Sequence, residues 1–380
     1  MSEKSILLVT SAFYPEISPR SFRATELARE FSRAGHKVVV LSRYRDFDYK
    51  IFLGECSVSL KMWKKSRYPV VPNFKSPVLS LIGRLLTRVL SLLFEYPDIA
   101  ETPAIKESLK TMSGFDLMIS FAVPFPVHWA VAGVQSGGHP VANVWIADCG
   151  DPYMFARLDN YRKPFYFKFA EKHFCRSCDF ITVPFMEMRD QFYPEFKSKI
   201  RVIPQGFNFD EVNLCKDREV TDKPVFIFAG SIIPGKRDLK LFLDFLCTLP
   251  RDFLFIVYTN QASWFDPYKS CLGKKLEIRE YIDRLSLITI MSTVDFLVNV
   301  DTVLDNQSNR EAVPSKLIDY ALSGRPILNL SSAVLDESLV LDFLNQDYSR
   351  QRFVDISRHN IRDVAARFLS LADKNESSIN

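Results

Sequence analysis

The chain has 380 residues, 47% hydrophobic and 25% charged, which is ordinary globular material and, at ~100–200 residues per domain, enough for two domains. Its 49 basic and 45 acidic residues leave a net charge of +4, too even a balance for a protein built to hold nucleic-acid phosphates. The sum hides an asymmetry, because residues 1–210 carry 28 basic and 21 acidic side chains whereas residues 211–380 carry 21 and 24.

The first predicted element is a buried strand at Ile6–Val9, an apolar run too short for the core of a secretion signal. The following loop, Ser11 to Arg23, ends in Ser18-Pro19, a helix-start signal; Ala24, Leu27, Ala28 and Phe31 then keep helical spacing up to the terminator Gly35. Arg20 and Arg23 sit in the first turns of that helix and make a candidate anion site.

A second strand at Val38–Leu41 precedes a segment of unusual composition. From Cys56 to Phe94 there is no acidic residue, while Lys61, Lys64, Lys65, Arg67, Lys75, Arg84 and Arg88 are basic. Within it, Val78–Leu93 places Arg84 and Arg88 four apart on one helical face with leucines over most of the rest. Two readings fit: an amphipathic helix lying in an anionic membrane surface, or a partly buried helix whose arginines reach solvent.

Further short apolar runs follow at Leu117–Ser120, Val141–Ile146, Phe180–Val183 and Arg201–Ile203, then Val225–Ala229, Leu254–Tyr258, Phe296–Val300 and Pro326–Leu330. Continuous apolar strands alternating with helical patterns predict parallel sheets covered on both faces, hence two doubly wound α/β domains. The junction is expected near Pro204–Asp222, and the last helix at about 361–372, with a polar tail after it. No apolar stretch reaches the ~18 residues of a membrane-spanning helix, so a cytoplasmic protein, soluble or peripheral, is expected.

Seven cysteines scattered over the chain do not make a disulfide framework, and reduced thiols are expected. Cys175 and Cys178 lack a second ligand pair for zinc, and His128, His139, His173 and His359 have no ligand spacing. The 32 phenylalanines are read as core.

Two segments of the second half carry chemistry. In Phe228–Asp238, Gly230 follows a buried strand and lets the backbone approach a ligand, while Lys236 and Arg237 offer two cations suited to a diphosphate. In Glu311–Pro326, Pro314 and Gly324 bracket a helix whose first N–H groups, at Ser315, Lys316 and Leu317, suit a phosphate. Asp319 lies one turn, ~5.4 Å, beyond Ser315, where a carboxylate can accept the hydroxyls of a ribose. Glu311 precedes the helix, on the side where a sugar would lie; a structural acceptor role is the alternative.

The Glu311-x7-Asp319 spacing, Pro314-Ser315-Lys316-Leu317 with Tyr320, Gly324-Arg325-Pro326-Ile327-Leu328, Gly230–Asp238, Val202-Ile203-Pro204-Gln205-Gly206, and the opening Phe13-Tyr14-Pro15 with Gly35-His36-Lys37-Val38 resemble a family 4 glycosyltransferase of the GT-B fold. The resemblance spans nearly the whole chain. It implies two Rossmann-like domains facing a cleft: an acceptor domain at 1–210, a nucleotide-sugar domain at 211–360, and a C-terminal helix and tail at 361–380. It further implies retention of anomeric configuration, a nucleotide-sugar donor, expected to be a UDP-sugar, and no cofactor or metal. By position, Glu311 would contact the donor sugar, Asp319 the ribose, and Lys236, with Arg237, the diphosphate. Gly206 would lie near the hinge, and Gln205 and Gly206 would join the donor-binding residues.

The sequence departs from the family pattern in four places. Asp319 stands for the usual Glu, Ser231 for a frequent Arg, and Glu16-Ile17-Ser18 for a Gly-Gly loop; Asp148-Cys149-Gly150-Asp151-Pro152 stands where many relatives have a His. Asp148 and Asp151, with Arg20 and Arg23, are the acceptor-side candidates, and turn chemistry is the competing reading for the Asp151-Pro152 pair. The expected acceptor is a glycan or lipid-linked hydroxyl in cell-surface polysaccharide synthesis, with residues 56–94 as a contact to an anionic membrane and no nucleic-acid partner. A GT-B epimerase or hydrolase, and an inactive nucleotide-sugar-binding scaffold, are the alternatives.

Overall fold

The computed structural model describes residues 2–65, 76–137, 140–156, 162–215, 223–235, 237–301, 303–304, 307–308 and 315–376. The chain divides into two compact units, Met1–Phe207 with Ile361–Asn380, and Asn208–Asn360.

The first unit is built on strands β1 (Ser5–Thr10), β2 (Lys37–Ser42), β3 (Val58–Met62), β4 (Phe115–Ala122), β5 (Ala142–Cys149), β6 (Phe180–Val183) and β7 (Ile200–Val202). They form one sheet in the order β3-β2-β1-β4-β5-β6-β7, parallel throughout. The order reverses beside β1, which pairs Ile6 with Val38 on one side and Leu117 on the other. Its carboxyl end is therefore the topological switch point, where open α/β sheets take ligands. β1 and β4 are buried along nearly their whole length, as expected of strands covered on both faces.

The second unit repeats the plan with β8 (Val225–Ala229), β9 (Leu254–Tyr258), β10 (Leu276–Arg279), β11 (Phe296–Asp301) and β14 (Ile327–Ser331), in the order β10-β9-β8-β11-β14. Between β11 and β14 the short strands β12 (Val303–Leu304) and β13 (Gln307–Ser308) pair antiparallel. The switch point falls between β8 and β11, where Phe296 pairs with Phe226. Phe226, Phe255 and Phe296 stack in this core, with ring centroids 4.6 Å apart for Phe226–Phe296.

Each apolar run named from the sequence lies on a strand. β3 and β10 were not foreseen. Both are edge strands with one neighbour, and both are half exposed. Their alternating polar residues, such as Lys61, and Glu277 with Arg279, break the apolar run that marks the inner strands.

The first helix spans Pro19–Arg33; the Ser18 hydroxyl caps it by accepting from the Ser21 N–H, and Gly35 follows its end at φ +86°. The last helix, Ile361–Glu376, belongs to the first unit. Its Ile361, Val364 and Phe368 join the core of Ile6, Leu8, Ala24 and Phe31. Gly206 makes this approach possible, since a Cβ there would lie 2.6 Å from Ile361 Cδ1 and 3.2 Å from Ile361 Cα.

One expectation changes. Cys247 and Cys271 form a disulfide, Cα–Cα 5.6 Å, whereas Cys56, Cys149, Cys175 and Cys178 are free thiols. Reduced thiols were expected because spacing in sequence does not show that residues 24 apart come side by side. The helix in the acid-free segment, Pro77–Phe94, turns most of its apolar residues outward: Val78, Leu81 and Leu85 are each more than 60% exposed, and Leu79, Ile82, Leu86, Val89, Leu93 and Phe94 are also exposed, while Gly83 is buried and Leu90 and Leu92 are partly buried. Among the described residues, no helix is long and apolar enough to cross a membrane.

Candidate functional site

In the second unit the predicted residues converge on the carboxyl edge of the sheet. Gly230 directly follows β8 at φ +144°, a conformation that favours glycine, and its N–H donates to the Tyr258 carbonyl at 3.0 Å. The next residues are held by Gln261, which accepts from the Ile232 N–H (2.6 Å) and donates to the Ile232 carbonyl (3.1 Å). Ile233 and Arg237 then pair backbone to backbone. Ser231 meets Tyr281 at 3.3 Å, hydroxyl to hydroxyl.

The helix of the predicted phosphate site spans Ser315–Leu322, and Gly324 follows it at φ +72°. Buried Tyr320 ties it to β8: its hydroxyl accepts from the Ala229 N–H at 2.8 Å and donates to the Ala229 carbonyl at 3.3 Å. Leu317 is fully buried in the opposite sense, as a core residue. Asp319 is held by Arg284, whose Nε and Nη2 donate to Oδ1 at 2.8 and 2.6 Å, leaving Oδ2 without a hydrogen-bond partner among the described residues. Burial raises the Asp319 pKa, and Arg284 opposes the rise.

Lys316 buries its charged end. Its ammonium has no hydrogen-bond partner among the described residues and sits 4.7 Å from the centre of the Phe228 ring and 5.8 Å from that of Tyr320. Burial, reinforced by Arg237, lowers its pKa to about 7, against the pull of Asp301. Asp301 closes β11 inside a polar cluster not foreseen from the sequence. Arg352 donates to both its oxygens (2.7 and 2.9 Å), and the Asn299 and Asn329 amides donate to one oxygen each (3.1 and 2.7 Å). A carboxylate directly after the buried run Phe296–Val300 was the available signal. A cavity of about 520 Å³ bounded by Thr259, Leu276, Ile278, Arg279 and Glu280 touches none of the predicted residues.

In the first unit, Arg20, Arg23 and Asp148 come together at the carboxyl ends of β1 and β5. Arg23 Nε and Nη2 each donate to Asp148 at 2.7 Å, and its remaining donors reach the Pro204 and Ile203 carbonyls at 2.7 and 3.0 Å. Thr182 Oγ1 donates to Asp148 at 2.6 Å. Burial alone would raise the Asp148 pKa, but Arg23, then Arg20 and Thr182, bring it below the ordinary aspartate value. Arg23 and Asp148 are thus a buried clamp joining three strand ends, committed to each other.

Arg20 is the less committed partner. Its Nη1 stands 3.8 Å from Asp148, and its guanidinium lies against Gly150, where a Cβ would fall within 1.9 Å of Nη1. Burial lowers the Arg20 pKa, Asp148 raises it and Arg23 lowers it again, with Asp151 raising it less. Asp151 itself is exposed. Gln205 donates to the Gly206 carbonyl at 3.0 Å, and the constraint on Gly206 is the last helix. His128, one residue from Trp129 on the helix after β4, is buried between Ser120 (2.8 Å) and Cys149 (3.5 Å); burial lowers its pKa to about 3, so it is neutral. Lys236, Glu311 and Pro314 lie outside the described residues, as does His139.

No protein-family profile matches the sequence, and no curated protein matches it. Solved structures do. A glycosyltransferase from Rickettsia africae ESF-5 superposes with a TM-score of 0.59 at 12% identity, over 99% of this chain and 98% of that one. Anabaena Alr3699/HepE in complex with UDP-glucose gives 0.56 at 10% identity, over 99% of each chain. A variant of S. aureus TarM in complex with fondaparinux, α-GlcNAc-glycerol and UDP gives 0.60 at 12% identity, over 97% of this chain and 100% of that one. The fold is GT-B.

A GT-B chain carries two such α/β units, and the match covers both sheets here. At 10–12% identity the likeness is one of fold, and the residues must carry the rest. Among the described residues no group of His, Cys, Asp and Glu is arranged to hold a metal.

Proposed function

We propose that this chain is a retaining glycosyltransferase that moves a sugar from a UDP-sugar to a hydroxyl of a glycan or lipid-linked acceptor in cell-surface polysaccharide synthesis. The observation that carries the reading is the carboxyl edge of the second sheet, where Gly230, Arg237, Lys316 and Asp319 surround one switch point. Cations and free N–H groups there suit a diphosphate, and the open oxygen of Asp319 suits a ribose. Stabilising the leaving diphosphate as the glycosidic bond breaks is the electrostatic part of catalysis. The fold neighbours add support, since HepE and TarM were solved with UDP-glucose and UDP respectively. Arg20, and Asp151 beside it, are the acceptor-side residues of this reading, and the protein's own cations make a metal unnecessary.

A thermal-shift series with UDP-, GDP- and ADP-glucose tests the donor. Any ligand at 100 times its Kd stabilises by about 2.7 kcal/mol, so a shift with the UDP-sugar alone is expected. Turnover should require an acceptor, and the product should keep the donor's anomeric configuration by NMR. Turnover without acceptor would favour the epimerase or hydrolase reading, and binding without turnover the scaffold.

The helix Pro77–Phe94 supports a peripheral position at the inner face of the cytoplasmic membrane. Its exposed leucines, with exposed Arg84 and Arg88 and the exposed Lys61, Lys64 and Lys65 nearby in the chain, combine an apolar face with cations, the pattern of a helix lying in an anionic bilayer surface. Co-sedimentation with phosphatidylglycerol vesicles is expected at low salt and should fall steeply in the double variant Leu81→Asp, Leu85→Asp. Absence of wild-type binding would remove the membrane proposal and leave sugar transfer standing.

A further inference from the structure

Lys316 poses a physical problem that the rest of its unit does not solve. A lysine ammonium has three N–H donors and no acceptor, and when buried without a partner it costs several kcal/mol. Here the Nζ is buried, has no hydrogen-bond partner among the described residues and lies over the rings of Phe228 and Tyr320. Those contacts favour a cation but accept no hydrogen bond in the ordinary sense. Such a group persists where something supplied from outside completes it.

Its position says what that is. Lys316 is the second residue of the helix Ser315–Leu322, so the same first turn presents free N–H groups and the positive end of the helix dipole. Nζ comes within 4.0 Å of the point where a side chain at Gly230 would begin. It therefore reaches from the helix to the loop after β8, across the switch point. In that loop Ser231 is neutral and turned to Tyr281, so position 231 brings no charge to an anion there.

We propose that the Lys316 ammonium is the second diphosphate-binding cation of this protein, reaching the donor's phosphates from the helix side in place of a cation at position 231. The proposal rests on the donor reading above and sharpens it, by assigning a side chain where only backbone N–H groups were expected. Among the described residues, the charged and titratable groups facing Lys316 are Arg237 from the loop after β8, Asp301 at the end of β11, and Tyr320 on its own helix. With a pKa lowered to about 7 by burial and Arg237, the free amine is mostly neutral at pH 8. A diphosphate favours the ammonium, so binding takes up a proton.

Isothermal titration with UDP and with uridine tests this in the wild type and in Lys316→Met and Lys316→Arg, with folding followed by circular dichroism. Loss of one charge-assisted contact corresponds to about a 10–100-fold effect. Lys316→Met is expected to weaken UDP by that factor and to leave uridine unchanged, and Lys316→Arg to restore part of the UDP affinity. Independently of any variant, wild-type titrations at pH 8 in buffers of different ionisation enthalpy should show uptake of nearly one proton per UDP. Equal UDP affinity in wild type and Lys316→Met, equal weakening of UDP and uridine, or absence of proton uptake each overturns the role of Lys316. A wild type that binds neither UDP, GDP nor ADP overturns the donor reading and this proposal with it.

Discussion

Arg23→Ala is expected to lower the unfolding midpoint of the first unit by about 6–20 °C, the largest stability effect at any predicted site residue. The variant leaves Asp148, 1% exposed, without its bidentate partner, and breaking a buried pair in this way costs about 3–5 kcal/mol. For a unit of this size each kcal/mol moves the midpoint by ~2–4 °C. The Ile203 and Pro204 carbonyls lose their donor as well. The double variant Arg23→Met, Asp148→Leu removes both charges and should recover much of the loss. Acid tests the same pair. The folded Asp148 pKa lies below its ordinary value, so its contribution is present above the unfolded pKa, ~3.9, and is lost as pH falls through the folded one. Calorimetry from pH 7 to 3 should show the wild type losing more stability than the double variant; parallel curves would show that the pair does not hold the strand ends together.

Glu311→Ala is expected to reduce sugar transfer by at least ~10²–10³-fold, the range found when one transition-state stabilising group is removed. Positive charge develops on the donor sugar as its bond to the diphosphate breaks, and the resemblance places Glu311 against that sugar. UDP carries no sugar, so its affinity should stay within a few fold. Transfer kinetics and UDP titration on the same preparation separate the two effects. Wild-type transfer rates in the variant would sink the assignment, and an equal loss of UDP affinity would move Glu311 to the nucleotide.

The inner strands were legible because they are buried on both faces, so that no polar residue interrupts them: Ile6–Val9 and Phe226–Ala229 announce themselves without any partner being known. β3 and β10 were not, because water-facing polar residues such as Lys61 and Glu277 interrupt their apolar runs. The helix caps were equally local. Ser18 before Pro19, and Gly35 after Arg33, satisfy backbone groups within one turn, and such chemistry needs no tertiary context.

The site was half legible for the same reason. Gly230 and Ser315–Leu317 lie at ends of elements, where position along the chain already implies position on the sheet edge, and Asp319 follows Ser315 by one turn. Arg20 and Arg23 show the limit of that argument. Both sit in the first turns of one helix and read alike in sequence, yet Arg23 is turned into a buried clamp with Asp148, 125 residues away, whereas Arg20 lies over Gly150. The helix Pro77–Phe94 makes the same point. Its composition allowed a buried or an exposed apolar face, and only the packing shows Leu81 and Leu85 outside.

The amino-acid sequence by itself determined two doubly wound α/β units, their inner strands and helix ends, and the glycine, cations and carboxylate at the edge of the second sheet, since these depend on burial patterns and backbone satisfaction within a few residues. The tertiary structure alone decided which of those residues are already partnered. Arg284 holds Asp319, Asp148 holds Arg23, and the last helix rests on Gly206, whereas the buried Lys316 ammonium has no hydrogen-bond partner among the described residues. Ion pairing across 35 to 125 residues depends on distances that no local pattern encodes, and it is what separates a cation committed to the fold from one with no such partner among the described residues.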